Sequence, residues 1–130
     1  MPRSTRFLLL SCALPVLCLM SFATSVRAQA DAARGALAWQ KNCTECHTVD
    51  KDDTGPHHAG VAGRRAGSVP GFPYSAALKA TNFIWDAALL DRWIANPDAM
   101  VPGQAMDFKL SDAAVRADIV AYLLTLQAPK

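Results

Sequence analysis

Residues 43–47 read Cys43-Thr44-Glu45-Cys46-His47. This spacing constrains the chain more than any other feature, because it matches a covalent attachment site for haem of the c type. Each cysteine sulfur can add to one porphyrin vinyl group, giving two thioethers, and His47 can bring an imidazole nitrogen to the iron. On a helical turn Cys46 and His47 stand three and four residues from Cys43, so the three side chains share one face. One turn of chain then grips the porphyrin edge and reaches its metal. Two other chemistries use Cys-x-x-Cys. A zinc site needs a second ligand pair, and the other cysteines, Cys12 and Cys18, lie in the N-terminal apolar run. His57 and His58 are adjacent and close a tetrahedron badly. A thioredoxin-like dithiol wants a βαβ setting, and no strand pattern precedes Cys43.

The chain divides near residue 30. Arg3 and Arg6 precede an apolar run from Phe7 to Ala23, and Ser25-Val26-Arg27-Ala28-Gln29-Ala30 ends in A-x-A. Charged start, apolar run and small-residue end describe a secretory signal peptide over residues 1–30, cleaved after Ala30. Residues 31–130 then form a single domain. A membrane anchor competes with this reading, but the run is at the lower limit for a span and Pro15 interrupts it. Cys12 and Cys18 lack the small-residue surroundings of a lipidation site and leave with the leader.

Removing the leader changes the charge. The whole chain has 13 basic and 11 acidic residues, net +2. The leader holds three of the basic residues and no acidic one, so residues 31–130 carry 10 against 11, or −1. Nothing in that balance suggests nucleic acid. Export fits haem of the c type, which is attached outside the bacterial cytoplasm, so the expected location is the periplasm, with no stable membrane insertion after cleavage. A domain of this size buries only a modest core by itself. A covalently held haem adds apolar area and cross-links. The motif cysteines are then expected as thioethers rather than a disulfide, although the compartment is oxidising.

Asp31 to Asn42 reads as a helix in which Ala32, Gly35 and Trp39 recur at three- and four-residue steps. Gly35 costs such a helix about 1 kcal/mol relative to alanine, and a close helix crossing could offset that. Residues 48–63 and 64–84 are broken by glycine and proline and predict loops. A structureless stretch of that length argues against a compact domain unless it wraps a cofactor. Asp86 caps a second helix to Asn96, with Leu89, Leu90, Trp93 and Ile94 as its stripe and Pro97 as its end. Ser111 is expected to cap a final helix to about Gln127, striped by Val115, Ile119, Tyr122, Leu123 and Leu126. That stripe is the natural partner of Gly35 and Trp39. No strand signal and no internal repeat accompany these helices.

A second iron ligand can come from Met100 or Met106. Thioether sulfur is a soft ligand, and His/Met ligation raises the reduction potential. A methionine is more often core filler. Met106 follows Val101-Pro102-Gly103-Gln104-Ala105 in a loop after a turn, which suits a ligand better than core packing. Met100 follows Pro97-Asp98-Ala99, which could be a helical turn.

With these elements in order, residues 35–123 resemble a class I cytochrome c of the mitochondrial and bacterial c2-like type. The resemblance rests on Gly35 and Trp39, Cys43 to His47, Gly55-Pro56, Gly63-Arg64, Pro70-Gly71-Phe72 with Tyr74, Trp85, Asn96-Pro97, Pro102-Gly103 with Met106, and Tyr122. It implies an all-α fold, with N- and C-terminal helices crossing and long loops wrapping one haem. It implies that Cys43 and Cys46 bind the haem and that His47 and Met106 bind its iron. It further implies that the Pro56 carbonyl accepts the His47 ring N–H, and that Arg64, Tyr74 and Trp85 bind or neutralise a buried propionate. A carboxylate taken from water needs such donors.

Three positions depart from the family pattern. Trp93 stands where mitochondrial members carry a tyrosine that bonds near the methionine sulfur, and indole offers its donor in a different place. Leu78 replaces a polar residue near an internal water. His58 falls where an apolar haem neighbour is usual, and is expected to be partly exposed rather than a ligand. Asn42 and Ala105 occupy positions that are often lysine in mitochondrial members. Lys41, Lys79 and Lys109 remain for a thinner basic ring, and Asp50, Asp52 and Asp53 form an acidic loop.

The expected function is that of a monomeric, periplasmic, monohaem electron carrier, not an enzyme. It would exchange single electrons with redox proteins such as a membrane oxidase, reductase or dehydrogenase. The alternatives are a haem-bearing subunit or domain partner of a periplasmic dehydrogenase or oxidase, and an open-site haem peroxidase or sensor. An open site needs a vacant iron position, which Met106 would close.

Overall fold

The computed structural model describes residues 29–128. The segment expected to be a signal peptide lies outside the described residues up to residue 28.

Helix α1 (Ala32–Cys43) starts where the Asp31 carboxylate accepts the Arg34 N–H at 2.7 Å. Its buried residues are Gly35 and Trp39, four apart and therefore on one face. That face meets α5 (Ala113–Leu123). The contact is close enough to require glycine: a Cβ on Gly35 would stand 1.9 Å from the Asp118 carbonyl oxygen. The Trp39 and Tyr122 rings meet beside it at 5.6 Å. The side chain of Asp118 bolts the crossing, accepting from the Asp31 N–H at 2.7 Å and from Arg34 Nε at 2.8 Å. The expected crossing of the terminal helices is therefore present, and the close approach accounts for a glycine in mid-helix.

The middle of the chain is mostly loop, as expected, with one short exception. Ser75 caps a single turn, α2 (Ala76–Lys79), whose Leu78 is buried. Four residues give no readable period, so this element is silent in the sequence. Helix α3 (Ala87–Ala95) is capped by Asp86 and buries Leu90, Trp93 and Ile94. Pro97 ends it because a proline cannot supply the next helical N–H. The chain straightens at Asn96, which caps α4 (Pro97–Met100) with proline in its first turn.

Helix α5 differs from expectation at both ends. Its cap is Asp112, not Ser111: one Asp112 oxygen takes the N–H groups of Ala114 and Val115 at 2.9 and 3.1 Å. A carboxylate can accept two such bonds, each charge-assisted. The helix stops at Leu123 rather than near Gln127. The tail leaves it to lie along the 57–64 loop, where the Gly60 N–H takes the Leu126 carbonyl at 3.0 Å. Val120 is buried beside Ile119 and Leu123 because α5 packs on α3 as well as α1.

The core joins Trp39, Trp85, Trp93, Leu90, Ile94, Val101 and the buried face of α5. The β pairing among the described residues is an isolated bridge between Arg65 and Ile84. The fold is all-α. Among the described residues no helix is long and apolar enough to cross a membrane.

Candidate functional site

The site begins where α1 ends. Cys43 is the last helical residue, and its carbonyl accepts the N–H groups of Cys46 at 3.2 Å and His47 at 2.8 Å. The motif is thus wound into one more turn. Neither cysteine is in a disulfide. Burial pushes the Cys43 thiol up to about 12. A redox dithiol works through a thiolate of lowered pKa, so this environment disfavours that reading of the motif.

His47 sits under the 52–60 loop. Its Nδ1 is 2.8 Å from the Pro56 carbonyl oxygen. A carbonyl only accepts, so Nδ1 carries the proton and Nε2 keeps its lone pair. Burial lowers the His47 pKa, and the bond to Pro56 opposes this. A neutral imidazole is the form that ligates metal. The ring lies so close to the loop that a Cβ on Gly55 would stand 2.2 Å from its Cε1. Gly55 is therefore fixed by the space the ring needs. The loop is tied back to the motif by the Gly55 N–H on the Cys46 carbonyl at 2.7 Å and the His58 N–H on the Thr48 carbonyl at 3.0 Å.

His58 has a specific role that its sequence position did not suggest. It is half-buried, and its Nδ1 accepts the Trp39 indole N–H at 2.8 Å. Its ring stacks on His47 at 4.2 Å between centroids. Burial, reinforced by repulsion from His47, Arg64 and His57, pushes its pKa down to about 3. It is a neutral acceptor. The one signal available in the sequence was Trp39 itself, since a buried indole N–H usually finds a partner.

Met106 is placed by a residue outside the expected set. Gln104 folds back so that its amide oxygen takes the Met106 N–H, while its Nε2 donates to the Met106 carbonyl at 3.0 Å and to Asp98 Oδ1 at 2.8 Å. The turn before it needs Gly103, whose φ is +84°. The Trp93 indole N–H points at the Met106 sulfur, with Nε1 and Sδ 3.0 Å apart. The replacement of tyrosine by tryptophan therefore keeps a donor on the sulfur. Met100, at the end of α4, lines a surface groove with Asp91, Arg92, Ala95, Asn96 and Ala99.

Arg64, Tyr74 and Trp85 are brought together. The Trp85 N–H bonds the Arg64 carbonyl at 2.9 Å. The Tyr74 phenol is close enough to the guanidinium for each to perturb the other, although burial dominates, lowering Arg64 and raising Tyr74. Arg64 also donates to the carbonyls of His57 at 2.8 Å and Ala59 at 3.1 Å. It thereby holds the loop above His47, a role the sequence did not reveal. Leu78 and Trp85 are buried, and the Trp85 ring meets Trp93 edge-on at 5.3 Å.

This donor set fits a covalently held haem: two unbridged cysteines on one turn, a neutral imidazole fixed through Nδ1, and a thioether held by its backbone. A family model described as cytochrome c matches residues 32–127. The chain belongs to the cytochrome c family. It is 41% identical over 108 residues to cytochrome c2 of Rhodomicrobium vannielii, covering 80% of this chain and 86% of that one. It is 44% identical over 98 residues to the cytochrome c-type cyt cy of Rhodobacter capsulatus, covering 74% of this chain but only 49% of that relative. Among solved structures, cytochrome cH from Methylobacterium extorquens superposes with a TM-score of 0.69 at 42% identity, over 73% of this chain and 98% of that one. This cytochrome is of the class I, monohaem type, and its family places it among electron-transfer proteins with covalently attached haem c.

Proposed function

We propose that this cytochrome is a periplasmic carrier of single electrons, with haem bound through Cys43 and Cys46 and its iron held by His47 and Met106. The observation that carries the reading is the motif turn with its imidazole already fixed: Nδ1 on the Pro56 carbonyl at 2.8 Å leaves Nε2 for a metal. When bound, the haem supplies one-electron chemistry between Fe(III) and Fe(II). The chain's own groups set how readily that exchange runs. Pro56 makes the His47 ring a stronger donor. The Trp93 N–H draws density from the Met106 sulfur. Gln104 holds Met106 at both its N–H and its carbonyl, which limits how far the sulfur can move. With His47 and Met106 both holding the iron, no position would be left for peroxide or gas. Arg64, Tyr74 and Trp85 form the cluster proposed to receive a propionate, and the partners are redox proteins that dock against the haem edge.

Export is part of the same reading, with cleavage after Ala30. The Asp31 nitrogen, 2.7 Å from Asp118 Oδ1, would then become a charged ammonium facing that carboxylate. The intact mass of protein recovered from periplasm should equal residues 31–130 plus one haem, with both thiols consumed. A mass that retains the leader would indicate an anchored cytochrome.

The ligand set is tested by spectroscopy. Oxidised protein should show the weak sulfur-to-iron charge-transfer band at the red end of the visible spectrum. Met106→Ala should abolish the band, lower the potential and let carbon monoxide bind, whereas Met100→Ala should do none of these. Wild-type protein that lacked the band and bound carbon monoxide readily at neutral pH would overturn the carrier reading in favour of an open-site enzyme or sensor.

A further inference from the structure

The loop that carries Pro56 is gripped from its far side by a carboxylate. Asp52 Oδ1 accepts the backbone N–H of His57 at 2.9 Å and lies 2.7 Å from His57 Nδ1. The backbone bond matters because of the peptide it touches. The N–H of His57 and the C=O of Pro56 belong to one amide unit. At its other end that C=O accepts the His47 Nδ1–H at 2.8 Å. A continuous chain of bonds therefore runs from a carboxylate, through one peptide group, to the imidazole.

Amide resonance couples the two ends of a peptide group, since its C–N bond has partial double-bond character. A negative charge at the N–H drives electron density toward the carbonyl oxygen. The oxygen then accepts more strongly, as hydrogen bonds in series polarise one another. A stronger acceptor at Nδ1 makes Nε2 more basic. A more basic ligand favours the more highly charged iron and so lowers the potential.

We propose that Asp52 is a positioning residue that polarises the Pro56–His57 peptide and so strengthens His47 as a donor to iron. This rests on the reading of His47 as the axial ligand. Three further observations support it. Asp52 is ionised at neutral pH, held below the ordinary carboxylate range by the His57 N–H first and the His57 ring second, against some desolvation. Arg64 grips the next carbonyl along, that of His57, at 2.8 Å, and the preceding carbonyl, that of Gly55, accepts the Asp53 N–H at 2.9 Å, so the peptide plane is restrained at both of its neighbours. The other acids of the loop do not share the arrangement: Asp53 turns its carboxylate to the Thr54 N–H at 2.8 Å. Asp52 is partly exposed, its side chain 35% accessible, so solvent and the nearby Arg64 guanidinium moderate its influence.

The test compares wild-type holoprotein with Asp52→Asn and Asp53→Asn. Asparagine keeps an acceptor oxygen at position 52 and removes the charge. Asp52→Asn should favour reduction by about threefold, or about 28 mV at 59 mV per decade, and the rise should persist at high salt. The His47 ring N–H proton in reduced protein should move upfield, as a weakened hydrogen bond requires. Asp53→Asn should change neither. If Asp52→Asn does not take up haem, Asp52→Ser carries the same expectations. The proposal is overturned if the His47 N–H resonance stays in place, or if Asp53→Asn raises the potential as much. Failure of the underlying ligand assignment reads separately. A His47 that is not bound would lack the porphyrin ring-current shift in wild type and variants alike.

Discussion

Single atoms decide most of the site, and few of them are visible in the motif. Cys43, Cys46 and His47 announce themselves by spacing, because they act within one helical turn. His58 does not. It lies 19 residues from Trp39, whose indole N–H it accepts at 2.8 Å, and its sequence neighbours give no hint of the bond. Replacing His58 with leucine would restore an apolar residue of the kind usual in the family but would orphan a buried donor. An unsatisfied buried donor costs about 1–3 kcal/mol. We expect His58→Leu to lose stability of that order in chemical denaturation of the holoprotein, and a neutral or stabilising effect would show that water replaces the bond. Trp93 teaches the same lesson in reverse. Its indole reaches the Met106 sulfur although its donor atom differs in position from that of a tyrosine.

At the scale of elements, the crossing of α1 and α5 carries the fold. Gly35→Ala would place a methyl group 1.9 Å from the Asp118 carbonyl oxygen, and the obstruction is backbone rather than a flexible side chain. Overpacking of this kind costs about 1–3 kcal/mol and sometimes more. Thermal melts should show the loss, and an unchanged midpoint would mean that the helices separate at little cost. The ion pair at the same crossing has a definite pH signature. The Asp118 carboxyl is held below its ordinary value of 3.8, first by the Arg34 hydrogen bond and then by the Asp31 N–H. The unfolded chain therefore binds the proton first as pH falls. The stability this contributes is present above the ordinary carboxylate range and is lost as pH drops through the folded value. Asp118→Asn should lower the melting temperature most at neutral pH, with the deficit narrowing as the solution is taken below about 3.8. A deficit that grew on acidification would contradict the pairing. Glycine and aromatic spacing made the crossing legible, whereas the helix ends were not. Asp112 rather than Ser111 caps α5 because a carboxylate accepts two N–H groups, and the tail leaves the helix because the 57–64 loop offers the Leu126 carbonyl a partner.

For the whole molecule the question is how it meets a redox partner. Residues 31–130 carry 10 basic and 11 acidic residues, so no strong net field steers association. The basic ring is thinner than three lysines imply, because Lys109 pairs with Asp98 at 3.2 Å. Lys41 and Lys79 remain exposed, each at the end of a helix. On the acidic side Asp52 is committed to His57. We propose docking that is largely apolar at the haem edge. The association rate with an acidic partner should fall by less than about tenfold between low and physiological ionic strength, far short of steered association. A steep fall in stopped-flow measurements would restore charge steering.

Sequence alone determined the attachment turn, the all-helical class, the glycine–aromatic crossing and the cap at Asp86. Each depends on residues a few positions apart, where helical geometry converts spacing directly into a shared face. Tertiary structure alone decided which groups finish the site: His58 on Trp39, Trp93 on Met106, Arg64 on the loop carbonyls, and Asp52 on the peptide that holds His47. Apart from the last, these bonds join residues brought together by loops without period, and even Asp52 and His57 meet only because the loop turns back on itself. Their partners were fixed by the need to satisfy buried donors once the core had closed, which no local pattern encodes.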